Sequence, residues 1–441
     1  MLDQGYRLYQ KGNRWIYEDP FEGRRAVLPE GVEARLLQPK PLEAVCRSAK
    51  ALLERPDSGL PFPELIRKRQ VKTVSILVSD ATRHVPTKQV LPQLIAYLNA
   101  AGVADSNIRL VVALGVHRPA VEAEIEAILG GELSGKRERL SIRNHDAFNP
   151  AGLVEIGETA AGRPIVVNRF AYEADFHIII GCVEPHEFAG FSGGRKSVLP
   201  GISSEACILR NHAFDMLASE AARPGSLEGN PIHQEMLEFA AAYGVDFSIQ
   251  FLVGDQSEVL DCVTGSFPAT HAEAVRRLCE SIRVDVPDFD LLVTTPGVPQ
   301  NIDFYQSVKP IIGLSSVLRA NDKVILYAAC PEGLNSPDML AGFAAADTIE
   351  GVVAKLKQDY TIQKDHVLLL SRVFRKNCQI FAVTERVPDS ELEQMFMCAA
   401  PNLQAAIDQA CGQIRRQRRG PADGGPIRIL FFPQAQRYLP G

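Results

Sequence analysis

Four short clusters in this chain hold residue types that could do chemistry together. Asp80, Thr82, Arg83 and His84 form the first, and His117 with Arg118 the second. The third is HEFAGFSGGRKSVLPG, residues 186–201, which holds His186, Ser192, Gly193, Gly194, Arg195 and Lys196, with His212 further on. The fourth, PGVPQNIDFYQSVK over 296–309, contains Tyr305, Gln306 and Lys309. Histidine titrates near neutral pH and suits acid/base work. Arginine and lysine hold carboxylates, and imidazole is a good ligand for first-row transition metals. Each residue also has a plain structural use: Asp80 and Thr82 as helix caps, His117 as a turn histidine before Pro119. The clusters gain weight because each follows an apolar strand, and parallel strands aim their ends at one crevice.

The glycine-rich stretch has two ready readings. A phosphate-binding loop, GxxxxGK[ST], places Lys196 and Ser197 correctly when counted from Gly190. It requires glycine before the lysine, where this chain has Arg195, and no second phosphate-site motif accompanies it. A plain turn explains the glycines but not Arg195, Lys196 and His186 beside them. Gly193 and Gly194 are expected to let the backbone approach a ligand closely.

The elements that position these clusters read as α/β. Apolar, β-branched runs at 73–79, 108–115, 164–168, 176–183, 247–254, 289–295, 323–329, 379–383 and 427–432 are expected strands. Several are continuous rather than alternating, as strands covered on both faces are. Helical stretches lie between them, at 88–101, 119–129, 203–220, 231–243, 268–282, 335–345, 348–358, 390–398 and 402–415. The alternation predicts two α/β domains with largely parallel sheets. The boundary is expected near VDVPDF, giving domains 1–285 and 286–441, with strand 427–432 as the candidate to return to the first.

Composition removes several function classes. The chain has 441 residues, 47 Lys plus Arg against 53 Asp plus Glu, and a net charge of −6, which speaks against nucleic acid or an anionic membrane as partner. No run approaches the ~18 apolar residues of a membrane span, and the N-terminus lacks the apolar core of a secretory signal. Nine cysteines without a CxxC pair fit reduced thiols in the cytoplasm. Among these, Cys182 reads as a small core residue, and Tyr172 and Phe191 as packing residues.

Taken together, the clusters resemble the nickel-dependent lactate racemase family. The resemblance rests on Ser79-Asp80-x-Thr82-Arg83, Ala113-Leu114-Gly115-x-His117-Arg118, His186-x3-Gly190-x-Ser192-Gly193-Gly194-x-Lys196-x3-Pro200-Gly201 with His212, and Tyr305-Gln306-x2-Lys309. It implies an isomerase, a 2-hydroxyacid racemase or epimerase, working by reversible hydride transfer to a nickel-pincer nucleotide, and an active site in the cleft between the two domains. That cofactor is a pyridinium-3-thioamide-5-thiocarboxylic acid mononucleotide carrying nickel. By the same resemblance Lys196 tethers it, His212 is the metal ligand, and His117 and His186 are the acid/base pair. Asp80, Thr82, Arg83, Ser192, Gly193 and Gly194 are implied for the cofactor, and Arg83, Tyr305, Gln306 and Lys309 for the substrate. Cofactor-maturation enzymes are implied in the producing cell. The chain departs from the family pattern where His84-Val85 precede Pro86, and where Pro296-Gly297, Asn301 and Asp303 stand before Tyr305. Two alternatives stay open at this point: a nucleotide-phosphate enzyme using 190–197 as a degenerate phosphate loop, and a non-catalytic cofactor-binding relative.

Overall fold

VSILVS, residues 74–79, has apolar residues at four of its six positions and serine at the other two, and it sits inside a sheet covered on both faces. The computed structural model describes residues 5–38, 44–45, 47–80, 85–254, 258–418 and 425–441. Thr82, Arg83 and His84, three residues of the first cluster, lie outside the described residues.

The chain divides into two compact units, one of Pro41–His212 with Ser219–Ser281, the other of Met1–Lys40, Ala213–Ala218 and Ile282–Gly441. In the first, six strands run in the order Val259–Gly265, Phe247–Val253, Phe176–Cys182, Val74–Ser79, Ile108–Ala113, Ser141–Asn144. All neighbours are parallel except the outermost pair, Phe247–Val253 with Val259–Gly265. Ile76, Val78, Leu110, Val112, Ile178 and Ile180 on one face of this sheet pack against the helices Phe62–Arg69 and Leu91–Ala100 through Phe62, Ile66, Leu91 and Leu94. The second unit holds a six-stranded sheet ordered Cys398–Ala399, Gln379–Val383, Lys323–Tyr327, Leu291–Thr294, Ile427–Phe431, Val32–Leu36, parallel throughout. The helix Leu403–Gln417 covers it with Leu403, Ala406, Ile407 and Ala410.

Four expectations need correction. Residues 1–40 belong with the C-terminal half and not with a domain 1–285, because Val32–Leu36 adds in parallel to Ile427–Phe431. For the same reason the last strand stays in its own unit. Pro164–Asn168 joins no parallel sheet but pairs antiparallel with Leu153–Glu158. The helix expected over 203–220 is two, Glu205–Asn211 and Phe214–Ala218, so His212 is a helix C-cap and not a residue several turns inside one long helix.

Candidate active site

In open parallel sheets, ligands gather where the strand order reverses. The first unit reverses at Val74–Ser79: the chain proceeds to Ile108–Ala113 on one side, then returns to Phe176–Cys182 on the other. The first three sequence clusters follow these three strands directly. In the second unit the reversal falls at Leu291–Thr294, which lies between Lys323–Tyr327 and Ile427–Phe431, and the fourth cluster follows it.

The first two clusters meet. His117 Nδ1 lies 2.6 Å from Asp80 Oδ2, and the carboxylate is nearly buried while the imidazole side chain is 49% exposed. The pair favours the tautomer in which Nδ1–H donates to the carboxylate and Nε2 keeps its lone pair. Arg118 is not part of it, being held in a bidentate pair by Glu124 at 2.6 and 2.9 Å.

The glycine-rich loop is wound inward. Arg195 is completely buried, and its Nη2 donates to the carbonyls of Ala189 and Phe191 at 2.8 Å, with Nη1 3.3 and 3.4 Å from those of Ser192 and Gly193. Three of the loop's backbone amides are committed: Ser192 N to Glu184 O, Gly194 N to Gln250 Oε1, Lys196 N to Gly193 O. A loop whose carbonyls converge on a cation is the inverse of an anion cradle. This weighs against the phosphate-loop alternative. The glycines also serve the loop's own packing. A Cβ on Gly193 (φ +75°) would meet Gln250 Oε1 at 2.6 Å, and one on Gly194 (φ +52°) the His271 ring at 2.7 Å. On the side where a Cβ would stand, both glycines pack closely against the protein interior. Ser192 Oγ donates to Cys182 O at 2.8 Å and accepts from Glu184 N at 2.9 Å.

What this winding presents is a compact group. Lys196 Nζ is 3.1 Å from His186 Nε2. An ammonium can only donate, so Nε2 accepts; Nδ1 lies 3.1 Å from Glu187 Oε2 and 3.5 Å from Ala189 N. The Phe188 ring stands edge-on to both imidazoles, 4.6 Å from His186 and 4.9 Å from His212 between centroids, with Lys196 Nζ 5.7 Å from its centre. His212 Nδ1 meets Ile208 O at 3.1 Å. Burial first, and the neighbouring Lys196 charge second, pull the His212 pKa down to about 3, so its imidazole is neutral. Ser203 O and Asn168 Nδ2 fix His145 beneath this region, at 2.9 and 3.2 Å.

In the second unit Asp303 caps the helix Phe304–Ser307, its Oδ1 accepting from Gln306 N at 2.7 Å and its Oδ2 from Asn335 Nδ2 at 2.9 Å. Tyr305 Oη donates to Asp365 Oδ1 at 2.9 Å, and its ring stacks on His366 at 4.0 Å. Lys309 opens the next helix, Lys309–Gly313. Glu22 accepts from Thr295 Oγ1 and Asn301 Nδ2, both at 3.1 Å, and burial raises its pKa to about 7. Asn301 and Asp303, the residues that depart from the family pattern, are thus tied into the protein frame.

Sequence reasoning missed Glu187, Phe188, Asp365, His366 and Glu22. Glu187 and Phe188 were available as neighbours of His186. The helix Asp365–Phe374 was not expected at all; nine of its ten residues are buried.

The sequence model of the lactate racemase N-terminal domain matches residues 22–225, and that of the lactate racemase C-terminal domain matches 284–419. Both halves of an isomerase that inverts a stereocentre are therefore present. The chain belongs to the lactate racemase family. Lactate racemase of Thermoanaerobacterium thermosaccharolyticum is 29% identical over 363 residues, 81% of this chain and 84% of that protein. Lactate racemase of Lactiplantibacillus plantarum is 32% identical over 282 residues, 64% of this chain and 65% of that one. The structure of the lactate racemase apoprotein from T. thermosaccharolyticum matches with a TM-score of 0.82 at 25% identity, covering 99% of this chain and all of that one. A Thermotoga maritima protein shares the fold, with a TM-score of 0.64 at 20% identity over 86% of this chain and 97% of that one.

Proposed function

We propose that this protein racemises or epimerises a 2-hydroxy acid by reversible hydride transfer to a nickel-pincer nucleotide tethered to Lys196, with His117 and His186 as the acid/base pair. The observation that carries this reading is the gathering of His186, Lys196 and His212 around the one ring of Phe188. These residues fit the cofactor by their donor chemistry. Lys196 offers an amine for a thioamide link. His212 is neutral, and with Nδ1 committed to Ile208 O its Nε2 lone pair is the one left to a metal such as nickel. When bound, the nucleotide supplies an electron-poor pyridinium that accepts hydride, and a nickel centre beside it.

The rest falls to the chain. Removing the α-hydrogen of a 2-hydroxy carboxylate as a proton would build a dianion. Removing it as hydride while a base takes the hydroxyl proton gives a planar 2-keto acid, and return to the opposite face inverts the centre. Inversion needs a base for each face. Each histidine carries a carboxylate at Nδ1, Asp80 or Glu187, which holds the tautomer with Nε2 as acceptor and stabilises the imidazolium once Nε2 takes a proton. Thioamide formation removes the Lys196 ammonium charge, which leaves His186 Nε2 able to take a proton from substrate. Arg83, Tyr305, Gln306 and Lys309 are proposed to hold the substrate, and Asp80, Thr82, Ser192, Gly193 and Gly194 to line the nucleotide. A carrier that never turned over would have no use for two histidine–carboxylate pairs, which weighs against a non-catalytic relative. Cytoplasmic residence and maturation enzymes in the producing cell belong to the same proposal.

The test uses cofactor-loaded protein and a panel of single-enantiomer 2-hydroxy acids, lactate among them, read by chiral chromatography. Appearance of the opposite enantiomer, with the cofactor mass on the peptide containing Lys196, is the expected result. A panel with no exchange by loaded protein ends the proposal.

A further inference from the structure

Among the described residues Arg195 is the largest fully buried side chain, and no carboxylate pairs with it. Burial alone lowers its pKa to about 9, which leaves it charged at neutral pH. An unpaired buried charge is costly, and this one is compensated by dipoles. Four carbonyls within the segment that joins His186 to Lys196 receive its Nη atoms: Ala189, Phe191, Ser192 and Gly193. His271 Nε2 lies 2.7 Å from Nη1 and 3.0 Å from Ser192 O; a guanidinium only donates and a carbonyl only accepts, so the ring's tautomer decides which of the two it bonds. Burial and the Arg195 charge both push the His271 pKa well below its ordinary value, in agreement with a neutral ring. Gly194 rests on the same ring, with no room for a Cβ. The loop that carries His186 and Lys196 is therefore wrapped around one planar fork.

We propose that Arg195 is a positioning residue for the tethering lysine: its guanidinium sets the course of residues 189–193 and so holds Lys196 Nζ against His186 Nε2. The inference rests on the reading of Lys196 as the cofactor tether. A lysine at 195 would keep the charge, but as a point donor on a flexible stem it cannot span carbonyls on both sides of the loop. His271 belongs to the same assembly, its Nε2 set against both the fork and the Ser192 carbonyl.

The variants are Arg195→Lys and His271→Leu, each first shown to melt cooperatively. In cofactor-free protein, the rate at which an N-hydroxysuccinimide ester acylates Lys196 is read by peptide mass against the other lysines. It should change by roughly fivefold or more in Arg195→Lys, with the other lysines unaltered, because the amine has lost its fixed neighbour. In cofactor-loaded protein, kcat per attached cofactor should fall roughly tenfold or more with KM little changed, as misplacement of a reacting group predicts. His271→Leu should move both readouts in the same direction by less. A residue that merely stabilised the fold would lower the melting temperature and the amount of cofactor attached, and leave both readouts of the folded protein at wild-type values. Either readout at its wild-type value in folded Arg195→Lys overturns the proposal; if that variant does not fold, the same criterion applies to His271→Leu. Failure of the tether reading is seen separately: a Lys196→Ala protein that still carries cofactor and activity would refute the tether, while the acylation rates would still decide whether Arg195 positions Lys196.

Discussion

The two histidine–carboxylate pairs of the first unit are chemically alike and physically different. His117–Asp80 joins the ends of two adjacent strands, and its imidazole is about half exposed. His186–Glu187 is a pair of sequence neighbours, both 10% exposed, held between the Phe188 ring and the Lys196 ammonium. One imidazole is therefore held by the sheet and open, the other by its own loop and enclosed. In the proposed mechanism both faces need the same acid/base chemistry, but the side proposed to carry the tether must also exclude water. The difference suits a site in which one face is the cofactor's and the other the substrate's entry.

The largest effect is expected from Lys196→Ala, which should abolish covalent attachment and bring racemisation to background, read by mass and chiral assay. Replacing the bases comes next. His186→Gln and His117→Gln should each lower kcat by roughly 10²–10⁴-fold. If only one of them matters, the two-base scheme is broken. The carboxylates follow, with Glu187→Gln and Asp80→Asn each expected to lower kcat roughly 10–100-fold, as losses of an orienting partner do. The comparison is sharpened by diethyl pyrocarbonate: in cofactor-free protein His117 should be carbethoxylated faster than His186, and equal rates would remove the open-versus-enclosed distinction. The smallest effect concerns Glu22, a buried carboxylate that no histidine pairs among the described residues. Its folded pKa of about 7 lies above the usual carboxylate value, because burial, and then Asp19, disfavour the charge. The folded state therefore binds the extra proton, and stability should fall as pH rises from the ordinary carboxylate range through about 7. Glu22→Gln should flatten that slope in melts taken between pH 5 and 8.

A parallel interior strand is apolar nearly throughout, so 379–383 lies where the sequence pattern puts it, as does the helix 231–243; 164–168 is also a strand, though in an antiparallel pair. Short polar strands carry no such signal. Val32–Leu36, with Glu33 and Arg35 pointing outward, reads as loop until Ile427–Phe431 offers it an edge, and so residues 1–40 were assigned to the wrong half. The helix Asp365–Phe374, buried nearly all round, was not expected either. Asp365 and His366, which frame Tyr305, were lost with it.

The candidate site divides the same way. Residue type and order along the chain already identified His117, His186, Lys196 and His212 as chemically capable, since strand-end placement follows from the apolar runs before them. Tertiary structure alone decided what each one faces. Arg195, a defect by the phosphate-loop pattern, became the hub of its loop, and Gly193 and Gly194 turned toward Gln250 and His271. The physical reason is that a pattern of residue types fixes which groups can donate, accept or titrate. Whether a carbonyl or an amide points into a loop depends on φ and ψ, and on partners more than fifty residues away that no local spacing encodes.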